Sequence, residues 1–331
     1  MTANWVNKRV LVTGAGGFIG SHLVEHLLAE GATVRAFVRY NSRGDPGLLR
    51  MLSSQALSQV EIIAGDLQDE FAVRKAVEGI QVIFHLGAMV SIPYSYRHPV
   101  EVAKTNFIGT LNILTASQEF EVERLVHTSS SEVYGTALQV PISEAHPLQG
   151  QSPYSASKIG ADKLAESFFC AFELPVVTVR PFNTYGPRQS ARAVIPTIIT
   201  QALTQNAISL GNLNTIRDFT FVKDTVAGLM KAAEVPDILG KEINLGTGQA
   251  IKIGELAQKI ILKTGRPVEI IIDPVRLRPE HSEVMRLLSN NTLARTLLGW
   301  EPEVNLDDGL DQTIAWIKTH LDLYHIGTYE F

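Results

Sequence analysis

The feature that most restricts the fold is a glycine-rich turn near the N-terminus. Gly14, Gly17 and Gly20 recur at three-residue spacing, directly after the apolar run 10–12 and at the start of an amphipathic stretch. Glycines so placed permit a tight turn and a close approach of the backbone to a pyrophosphate, which the helix N-terminus stabilises. The motif predicts a dinucleotide site; the alternative is an ordinary glycine turn. The residues expected to line the site are Gly14, Gly16, Gly17, Phe18, Ile19 and Gly20.

The first half of the chain alternates short apolar runs with longer amphipathic ones. Runs of this kind are typical of parallel strands buried on both faces, alternating with helices. The pattern predicts an α/β fold, a Rossmann-type doubly wound parallel sheet. Strands are expected at 10–12, 33–38, 61–63, 82–86, 125–128 and 176–179, and helices at 19–30, 71–78, 100–120 and 154–172.

After Arg180 this rhythm breaks, and prolines punctuate a loop-rich region. We therefore expect a dinucleotide-binding domain at 1–180. A smaller substrate-binding lobe at 181–331 is expected to be partly interleaved with it and to lie over the carboxyl ends of the strands, where such sheets bind ligands.

Charge and composition exclude several classes of protein. The 331 residues carry a formal charge of −5, which gives no electrostatic footprint for a nucleic acid or an anionic membrane. No signal peptide layout or bilayer-spanning stretch is apparent, so a cytoplasmic protein is expected. Cys170 is the single cysteine, which excludes an intrachain disulfide, and its apolar neighbours predict a core position.

The end of the second predicted strand bears on which dinucleotide fits. NAD sites usually place an Asp or Glu there for the ribose 2′-hydroxyl. This chain has Arg39 instead, with Ser42 and Arg43 close behind, which favours the 2′-phosphate of NADP. NAD is the alternative if Arg39 is a solvated loop charge. Further contacts with the dinucleotide are expected from residues that follow the third and fourth strands: Asp66, Leu67, Leu86, Gly87 and Ala88.

Tyr154 and Lys158 lie one helical turn apart, on the same face of a predicted helix. A tyrosine base needs a pKa well below its usual value of about 10. A neighbouring ammonium group and a positive nicotinamide both favour the phenolate. Upstream, Ser130 and Ser131 follow the fifth strand, where their hydroxyls can bridge a substrate oxygen to the tyrosine.

In this order the motifs resemble those of the extended short-chain dehydrogenases/reductases that act on nucleotide sugars. The resemblance covers nearly the whole chain. It implies that Tyr154 removes the sugar 4-hydroxyl proton as the C4 hydride leaves, that Lys158 holds the ribose, and that Pro181 and Asn183 join the cofactor site. The matching segments are 14–20, 66–67, 85–88, 106, 129–135, 154–158, 180–183, 185–188, 217–219 and 244–246.

Glu132 distinguishes the reactions within this family. The resemblance associates a small residue there with epimerases and a glutamate with 4,6-dehydratases. The run Ser130-Ser131-Glu132 is similar to the GDP-mannose type, with serine in place of the usual threonine. A 4-keto group acidifies the C5 hydrogen, which a nearby carboxylate can remove. Glu132 as a structural carboxylate is the alternative, and decarboxylases of nucleotide sugars can also carry Ser-Glu here.

A nucleotide diphosphate requires cations, and arginine binds phosphate through two parallel hydrogen bonds. The family pattern favours Arg217 and Arg278 as ligands of the diphosphate. Arg192 is a further candidate, and the alternative is that it is an exposed surface charge. The nine histidines show no metal-ligand spacing, so no metal is expected, and His85 is expected to be structural. The predicted substrate-binding residues are Ser91, Asn183, Arg188, Arg192, Arg217 and Arg278.

Together these features predict an NADP-dependent nucleotide-sugar 4,6-dehydratase. Segments such as 91–96 and 150–154 are most similar to the NDP-N-acetylglucosamine 4,6-dehydratases of legionaminic acid biosynthesis. The alternatives are a 4-epimerase, a decarboxylase of an NDP-uronic acid, and a non-catalytic dinucleotide sensor. The helices predicted at 100–120 and 154–172 resemble the pair that forms the dimer interface in this family, so a homodimer is expected.

Overall fold

The computed structural model describes residues 5–324. The first four residues of the N-terminal stretch and the last seven of the predicted small lobe lie outside the described range. The strands are β1 Arg9–Thr13, β2 Thr33–Arg39, β3 Glu61–Gly65, β4 Val82–His85, β5 Arg124–Thr128, β6 Val176–Pro181, β7 Asn183–Tyr185, β8 Ala207–Leu210, β9 Ile216–Arg217, β10 Phe219–Phe221, β11 Glu242–Leu245, β12 Ile251–Lys252 and β13 Glu269–Ile272.

The helices connect these strands and cover the sheet. None of those within the described residues combines the length and the apolarity needed to cross a bilayer. The α-helices are α1 Phe18–Ala29, α2 Ser54–Leu57, α3 Glu70–Val77, α4 Ile92–Arg97, α5 Pro99–Ala103, α6 Gly109–Glu119, α7 Pro153–Phe172, α8 Val194–Thr204, α9 Val222–Glu234, α10 Ile253–Thr264, α11 Thr292–Leu298 and α12 Leu306–Thr319.

Seven parallel strands form the main sheet, in the order β11-β6-β5-β4-β1-β2-β3. The order reverses beside β1, because β2 lies on one side of it and β4 on the other. This is the doubly wound Rossmann-type arrangement, and the predicted fold class is confirmed. The strand β11 comes from beyond residue 181 and completes the sheet next to β6.

Alternating side chains along each strand fill two separate cores. Val10 and Val12 of β1 pack with Leu23 of α1 on one face. Leu11 points to the opposite face, where it packs with Ile113 of α6 and other residues of α3 and α7. The period of two along a strand sends neighbours to opposite faces, so a wholly apolar strand must be covered on both.

A further core lies outside the main sheet. Ile198 of α8, Leu256 of α10 and Ile314 of α12 are buried together there. Three two-stranded sheets accompany these helices, formed by β7 with β10, β8 with β13, and β9 with β12.

Two local expectations were wrong, and the helix expected over 100–120 is present with an irregular turn. The strand β3 is mostly exposed rather than buried on both faces, because it is the last strand of the sheet. Cys170 is exposed, because it lies on the outer side of α7 while Phe168, two residues earlier, faces the core. The helix expected over 100–120 contains a wider π-helical turn, Lys104–Ile108, between α5 and α6.

A core substitution tests the buried sheet. Phe84 on β4 is fully buried and lies 6.0 Å from the ring of Trp5. Replacing it by alanine leaves a cavity, so we expect Phe84→Ala to lower the free energy of unfolding by about 3–5 kcal/mol. The matched control is Phe71→Ala, at an exposed phenylalanine of α3, where a change within about 0.5 kcal/mol is expected. Urea unfolding followed by circular dichroism measures both, and equal losses would contradict the assignment of this core.

Candidate active site

A cavity of about 880 Å³ lies at the carboxyl ends of the central strands. The glycine-rich turn after β1 lines one end, and the segments after β5 and β6 line the other, together with α7. The sequence-predicted residues that line it are Gly14, Gly16, Gly17, Phe18, Ile19, Gly20, Arg39, Ser42, Leu86, Ala88, Ser130, Ser131, Glu132, Tyr154, Lys158, Pro181 and Asn183.

The glycine-rich turn is shaped by close backbone contacts. Gly14 has a φ of +68°, and a Cβ on it would lie 2.9 Å from the Cα of Gly87. A Cβ on Gly20 would lie 2.2 Å from the carbonyl oxygen of Gly14. The helix α1 therefore begins directly against the turn, and its N-terminus, capped by Gly17, lies at the cavity. Free N–H groups and the helix dipole make this end a site for a phosphate group.

The loop after β2 closes this end of the cavity. Asn41, Arg43 and the segment 45–47 line it beside Arg39 and Ser42. The carbonyl oxygen of Pro46 approaches so closely that a Cβ on Gly16 would lie 2.7 Å from it. Sequence reasoning missed the segment 45–47, although its Asp-Pro-Gly run is a turn signal. The guanidinium of Arg39 is largely exposed and lies 3.4 Å from Glu101.

Tyr154 and Lys158 are both buried on the first turns of α7. The helix begins firmly because Ser152 and Ser155 form a reciprocal capping box, with Pro153 at the first position. The Lys158 ammonium donates to the carbonyl oxygen of Thr128, at 2.7 Å. A hydrogen bond joins the side chain of Tyr154 to that of Ser130, on the segment after β5.

The sequence predicts that Lys158 favours the phenolate of Tyr154, but in the protein alone the pKa of Tyr154 is raised. Burial raises the pKa of Tyr154 to about 12, although the hydrogen bond with Ser130 acts in the opposite direction. Burial also lowers the pKa of Lys158 to about 8, against the charge of Asp162. Desolvation disfavours the charged form of each group and is the largest influence on both pKa values.

Glu132 lies on a short 3₁₀ turn, Ser131–Tyr134, which Ser130 caps by accepting from the Glu132 N–H at 3.2 Å. Its carboxylate lines the cavity with Tyr154. One of its oxygens lies 3.7 Å from the guanidinium of Arg278. Arg217 is buried near both groups, and its guanidinium lies 3.8 Å from Glu283. Arg278 is therefore paired with Glu132 and Arg217 with Glu283, and neither arginine is among the residues that line the cavity.

Asn183 and Pro181 line the cavity at the end of β6. The side-chain oxygen of Asn183 is buried and has no hydrogen-bond partner among the described residues. A buried amide oxygen without a partner is costly, so it marks a position where a ligand donor fits.

Some predicted residues have structural partners and do not line the cavity. Ser91 caps α4 by accepting from the N–H of Tyr94. Arg188 donates to Glu25 of α1 at 2.8 Å, and Arg192 is exposed beside Ser190. Asp66 is exposed. The ligand-binding roles proposed for these four residues remain predictions.

Leu67 and Gly87 also lie off the cavity and pack against each other. A Cβ on Gly87 would lie 2.8 Å from the Leu67 side chain. They hold the turn after β4 close to the glycine-rich turn, because Gly87 is also the neighbour of Gly14. Their direct contact with a dinucleotide remains a prediction.

A buried polar layer lies behind the catalytic face. His85 of β4 contacts the hydroxyls of Thr13 at 2.8 Å and Thr110 at 3.1 Å, and it stacks on His127 of β5. Burial lowers the pKa of His85 well below 6.5, and the charges of protonated His127 and Lys158 add to this effect. His85 thus has structural partners on both ring nitrogens.

Comparison with known proteins identifies the family. A family model described as GDP-mannose 4,6 dehydratase matches residues 11–313. The chain belongs to this family, which comprises nucleotide-sugar dehydratases and epimerases of the extended short-chain dehydrogenase/reductase fold, and it is therefore an enzyme of that group. The predicted resemblance is confirmed at this level.

Relatives within the family have different reactions. The chain is 34% identical to a UDP-glucose 4-epimerase of Mycolicibacterium smegmatis, over 94% of this chain and 98% of the relative. It is 30% identical to a dTDP-glucose 4,6-dehydratase of Actinoplanes sp., over 94% of this chain and 98% of the relative. Among solved structures, DesIV of Streptomyces venezuelae, a dTDP-glucose 4,6-dehydratase with NAD and TYD bound, superposes with a TM-score of 0.86. The two chains are 27% identical over 96% of this chain and 99% of DesIV.

The buried histidines predict a pH dependence of stability. His85 and His127 have folded-state pKa values below 6.5 because burial disfavours their charged forms. The unfolded chain therefore binds more protons as the pH falls below about 6.5, and the folded state loses stability. We expect the free energy of unfolding to fall between pH 7 and pH 5, by up to about 1.4 kcal/mol per pH unit for each histidine.

The variant His85→Gln should reduce this slope, because it removes one of the histidines whose pKa burial lowers and keeps a side chain that can contact both threonines. Urea unfolding at pH 7, 6 and 5 measures the slope. A slope in the variant equal to that of the wild type would contradict the assignment to His85.

Proposed function

We propose that this enzyme is a nucleotide-sugar 4,6-dehydratase. It would convert an NDP-hexose to the 4-keto-6-deoxy sugar by oxidation at C4, elimination of water across C5 and C6, and return of the hydride to C6. The observation that carries the proposal is the carboxylate of Glu132, which lines the same cavity as Tyr154, Ser130 and Lys158. Elimination needs a base at C5 in addition to the base at C4, and the site supplies both.

The cavity fits a nicotinamide dinucleotide. The turn 14–20 leaves no room for a Cβ at Gly14 or Gly20 and ends at the N-terminus of α1, where a pyrophosphate is stabilised. At the other end of the cavity, the buried amide oxygen of Asn183 can accept a hydrogen bond from the bound dinucleotide. When bound, the dinucleotide would hold the hydride from C4 until it is returned to C6.

Tyr154 acts as the base at the sugar 4-hydroxyl. Its phenol is neutral in the protein alone, since burial raises its pKa to about 12. Lys158, whose pKa is about 8, is mostly protonated at pH 7, and its charge together with the Ser130 hydroxyl stabilises the phenolate as the 4-hydroxyl proton is transferred. Ser130 thereby orients the phenol oxygen toward the substrate.

Glu132 removes the C5 proton of the 4-keto sugar, and the C6 hydroxyl takes up a proton and leaves as water. When the hydride returns to C6, a proton returns to C5. Arg278 and Arg217 lie at this end of the site and are suited to the diphosphate. When Arg278 turns to a diphosphate, it releases the Glu132 carboxylate from its ion pair.

A 4-epimerase is the second candidate, and the 34% identical relative favours it. An epimerase has no use for a base at C5, whereas Glu132 is ion-paired, largely buried and faces the cavity. A decarboxylase of an NDP-uronic acid is the third. The mass of the product distinguishes the three reactions. The dehydratase product is lighter than its substrate by one water, and the decarboxylase product is lighter by one carbon dioxide. The epimerase product has the same mass as its substrate.

Mass spectrometry of the products tests the proposal. The enzyme is incubated with UDP-, GDP- and dTDP-linked hexoses, including the N-acetylglucosamine forms. We propose an NDP-N-acetylglucosamine as substrate, on the resemblance of segments 91–96 and 150–154 to the enzymes of legionaminic acid biosynthesis. Loss of one water with at least one of these sugars is the expected outcome. Interconversion of epimers without a change of mass would overturn the proposal.

Substitution of Glu132 tests its role as the C5 base. Glu132→Gln should keep dinucleotide binding and C4 oxidation but reduce formation of the dehydrated product by at least about 10²-fold, since general acid–base groups typically contribute 10²–10⁴-fold. The control is Glu61→Gln, because Glu61 is also ion-paired with an arginine but lies on the edge strand β3. Near-normal turnover of Glu132→Gln would show that another group is the C5 base.

The cofactor we propose is NADP, with NAD as the alternative. Arg39, Ser42 and Arg43 line the cavity where the loop after β2 closes it, and no carboxylate stands at the end of β2. The homologue DesIV is described with NAD bound, which favours the alternative. A 2′-phosphate would accept charge-assisted hydrogen bonds from the arginines.

Titration calorimetry with both dinucleotides decides between them. We expect NADP to bind the wild type more tightly, and Arg39→Glu to weaken NADP by about 10–100-fold, the loss of a charge-assisted hydrogen bond of roughly 1.5–3 kcal/mol. NAD binding should change little. Arg295→Glu is the control, at an exposed arginine of α11 that is paired with Glu301 and does not line the cavity. Tighter binding of NAD to the wild type would establish the alternative.

We also propose that the enzyme is a homodimer. Exposed apolar side chains lie on α5, on the adjoining π-helical turn and at the end of α7, at Val100, Phe107, Ile108 and Phe172. Large exposed apolar side chains on neighbouring helices are typical of an interface.

A further inference from the structure

Arg180, near the end of β6, is the largest fully buried side chain among the described residues, and it lies outside the cavity. Its Nε donates to a carboxylate oxygen of Asp162 at 3.1 Å. Its Nη1 donates to the hydroxyl of Tyr134, also at 3.1 Å, and the guanidinium carbon lies 5.2 Å from the centre of the Tyr134 ring. Burying a guanidinium is costly unless both its charge and its N–H groups are satisfied, and here they are.

Arg180 also donates to Glu242 of β11, at 3.4 Å, and its other two partners belong to the two halves of the proposed catalytic machinery. Asp162 lies on α7, one turn after Lys158 and two turns after Tyr154, and therefore on the same side of the helix. Tyr134 is the last residue of the 3₁₀ turn Ser131–Tyr134, which carries Glu132. One planar guanidinium thus spans the helix of the C4 base and the turn of the C5 base.

Asp162 and Tyr134 each form further hydrogen bonds besides the one with Arg180. Asp162 accepts from Ser129, at 2.8 Å, and contacts His127 at 3.2 Å, so it holds the end of β5 directly before Ser130. Tyr134 donates its hydroxyl to the side-chain oxygen of Asn244 on β11, at 2.7 Å. The linkage from α7 to the Glu132 turn is therefore continuous and buried throughout.

We propose that Arg180 is a positioning residue that sets the location of Glu132 relative to Tyr154 and Lys158. It does so by clamping Asp162 and Tyr134, and it thereby determines how fast elimination follows oxidation. This inference rests on the proposed dehydratase function. Two acid–base groups on separate elements must reach C4 and C5 of the same sugar ring, and a displacement of about 1 Å can cost about 10²-fold in rate.

The linkage predicts an effect on one step of the reaction. C4 oxidation uses Tyr154 and Lys158, which lie on one helix and keep their spacing if the Glu132 turn moves. It also uses Ser130, whose neighbour Ser129 donates to Asp162 on the same helix. Removal of the C5 proton uses Glu132 and slows if its turn moves. A weakened clamp therefore lets the 4-keto hexose and reduced nicotinamide accumulate, whereas a loss of stability alone lowers both steps together.

The test uses the holoenzyme in a single turnover, with absorbance near 340 nm reporting reduced nicotinamide and mass spectrometry reporting the sugars. Tyr134→Phe removes one hydroxyl from a buried ring and keeps its shape. Arg180→Lys keeps the charge but loses the planar fork that reaches both partners. The matched control is Tyr185→Phe, which removes the hydroxyl of another buried tyrosine, one that donates to the carbonyl oxygen of Leu306.

In Tyr134→Phe we expect elimination to slow by about tenfold or more, as misplacement of a reacting group by a fraction of an ångström implies, with an increase in reduced nicotinamide that the wild type and the control do not show. Arg180→Lys should show a larger increase. Proportional slowing of both steps, no change in Tyr134→Phe, or the same accumulation in the control would overturn the positioning role. If the wild type yields no dehydrated product, the proposed function fails instead, and this outcome is seen before any variant is compared.

Discussion

A single buried carboxylate organises the end of the sheet that lines the cavity. Asp162 is almost completely buried, and its hydrogen bonds come from side chains of β5, of β6 and of Ser129, which directly follows β5. Burial alone would raise the pKa of Asp162, but the hydrogen bond and charge of His127, together with Arg180 and Ser129, lower it below its usual value. The ionised carboxylate thus holds α7 against the ends of two neighbouring strands. The positions of Tyr154, Lys158 and Ser130 all depend on that contact.

The glycine-rich turn imposes a second constraint, at the other end of the cavity. Its shape depends on contacts with segments far along the chain, since Gly14 lies against Gly87 and Gly16 against Pro46. The turn after β4 and the loop after β2 are therefore packed onto the same few backbone atoms. Gly14 and Gly16 have no room for a side chain, because the backbone of these two segments occupies the space that a Cβ would need. The N-terminus of α1 therefore remains open to the cavity.

Patterns that are local in the chain predicted most of the fold. Alternating apolar runs and amphipathic stretches were enough to place the first six strands of the sheet and its main helices. The seventh strand, β11, was not among the expected strands, because its four residues resemble many short segments and only pairing with β6 gives it a place. The errors have similar causes: β3 is exposed because it is last in the sheet, and Cys170 is exposed because of the side of α7 on which it lies.

The sequence by itself determined the chemistry that the site offers: the glycine spacing, the Tyr154–Lys158 pair on one helix face, and a glutamate after β5. Each of these depends only on residues close together in the chain, whose geometry follows from strand, turn and helix periods. Only the tertiary structure decided that Arg278 reaches Glu132 whereas Arg188 pairs with Glu25, and that Arg180 joins Asp162 to Tyr134. These contacts join segments far apart in the sequence, and no local period encodes which distant side chain will lie within hydrogen-bond reach.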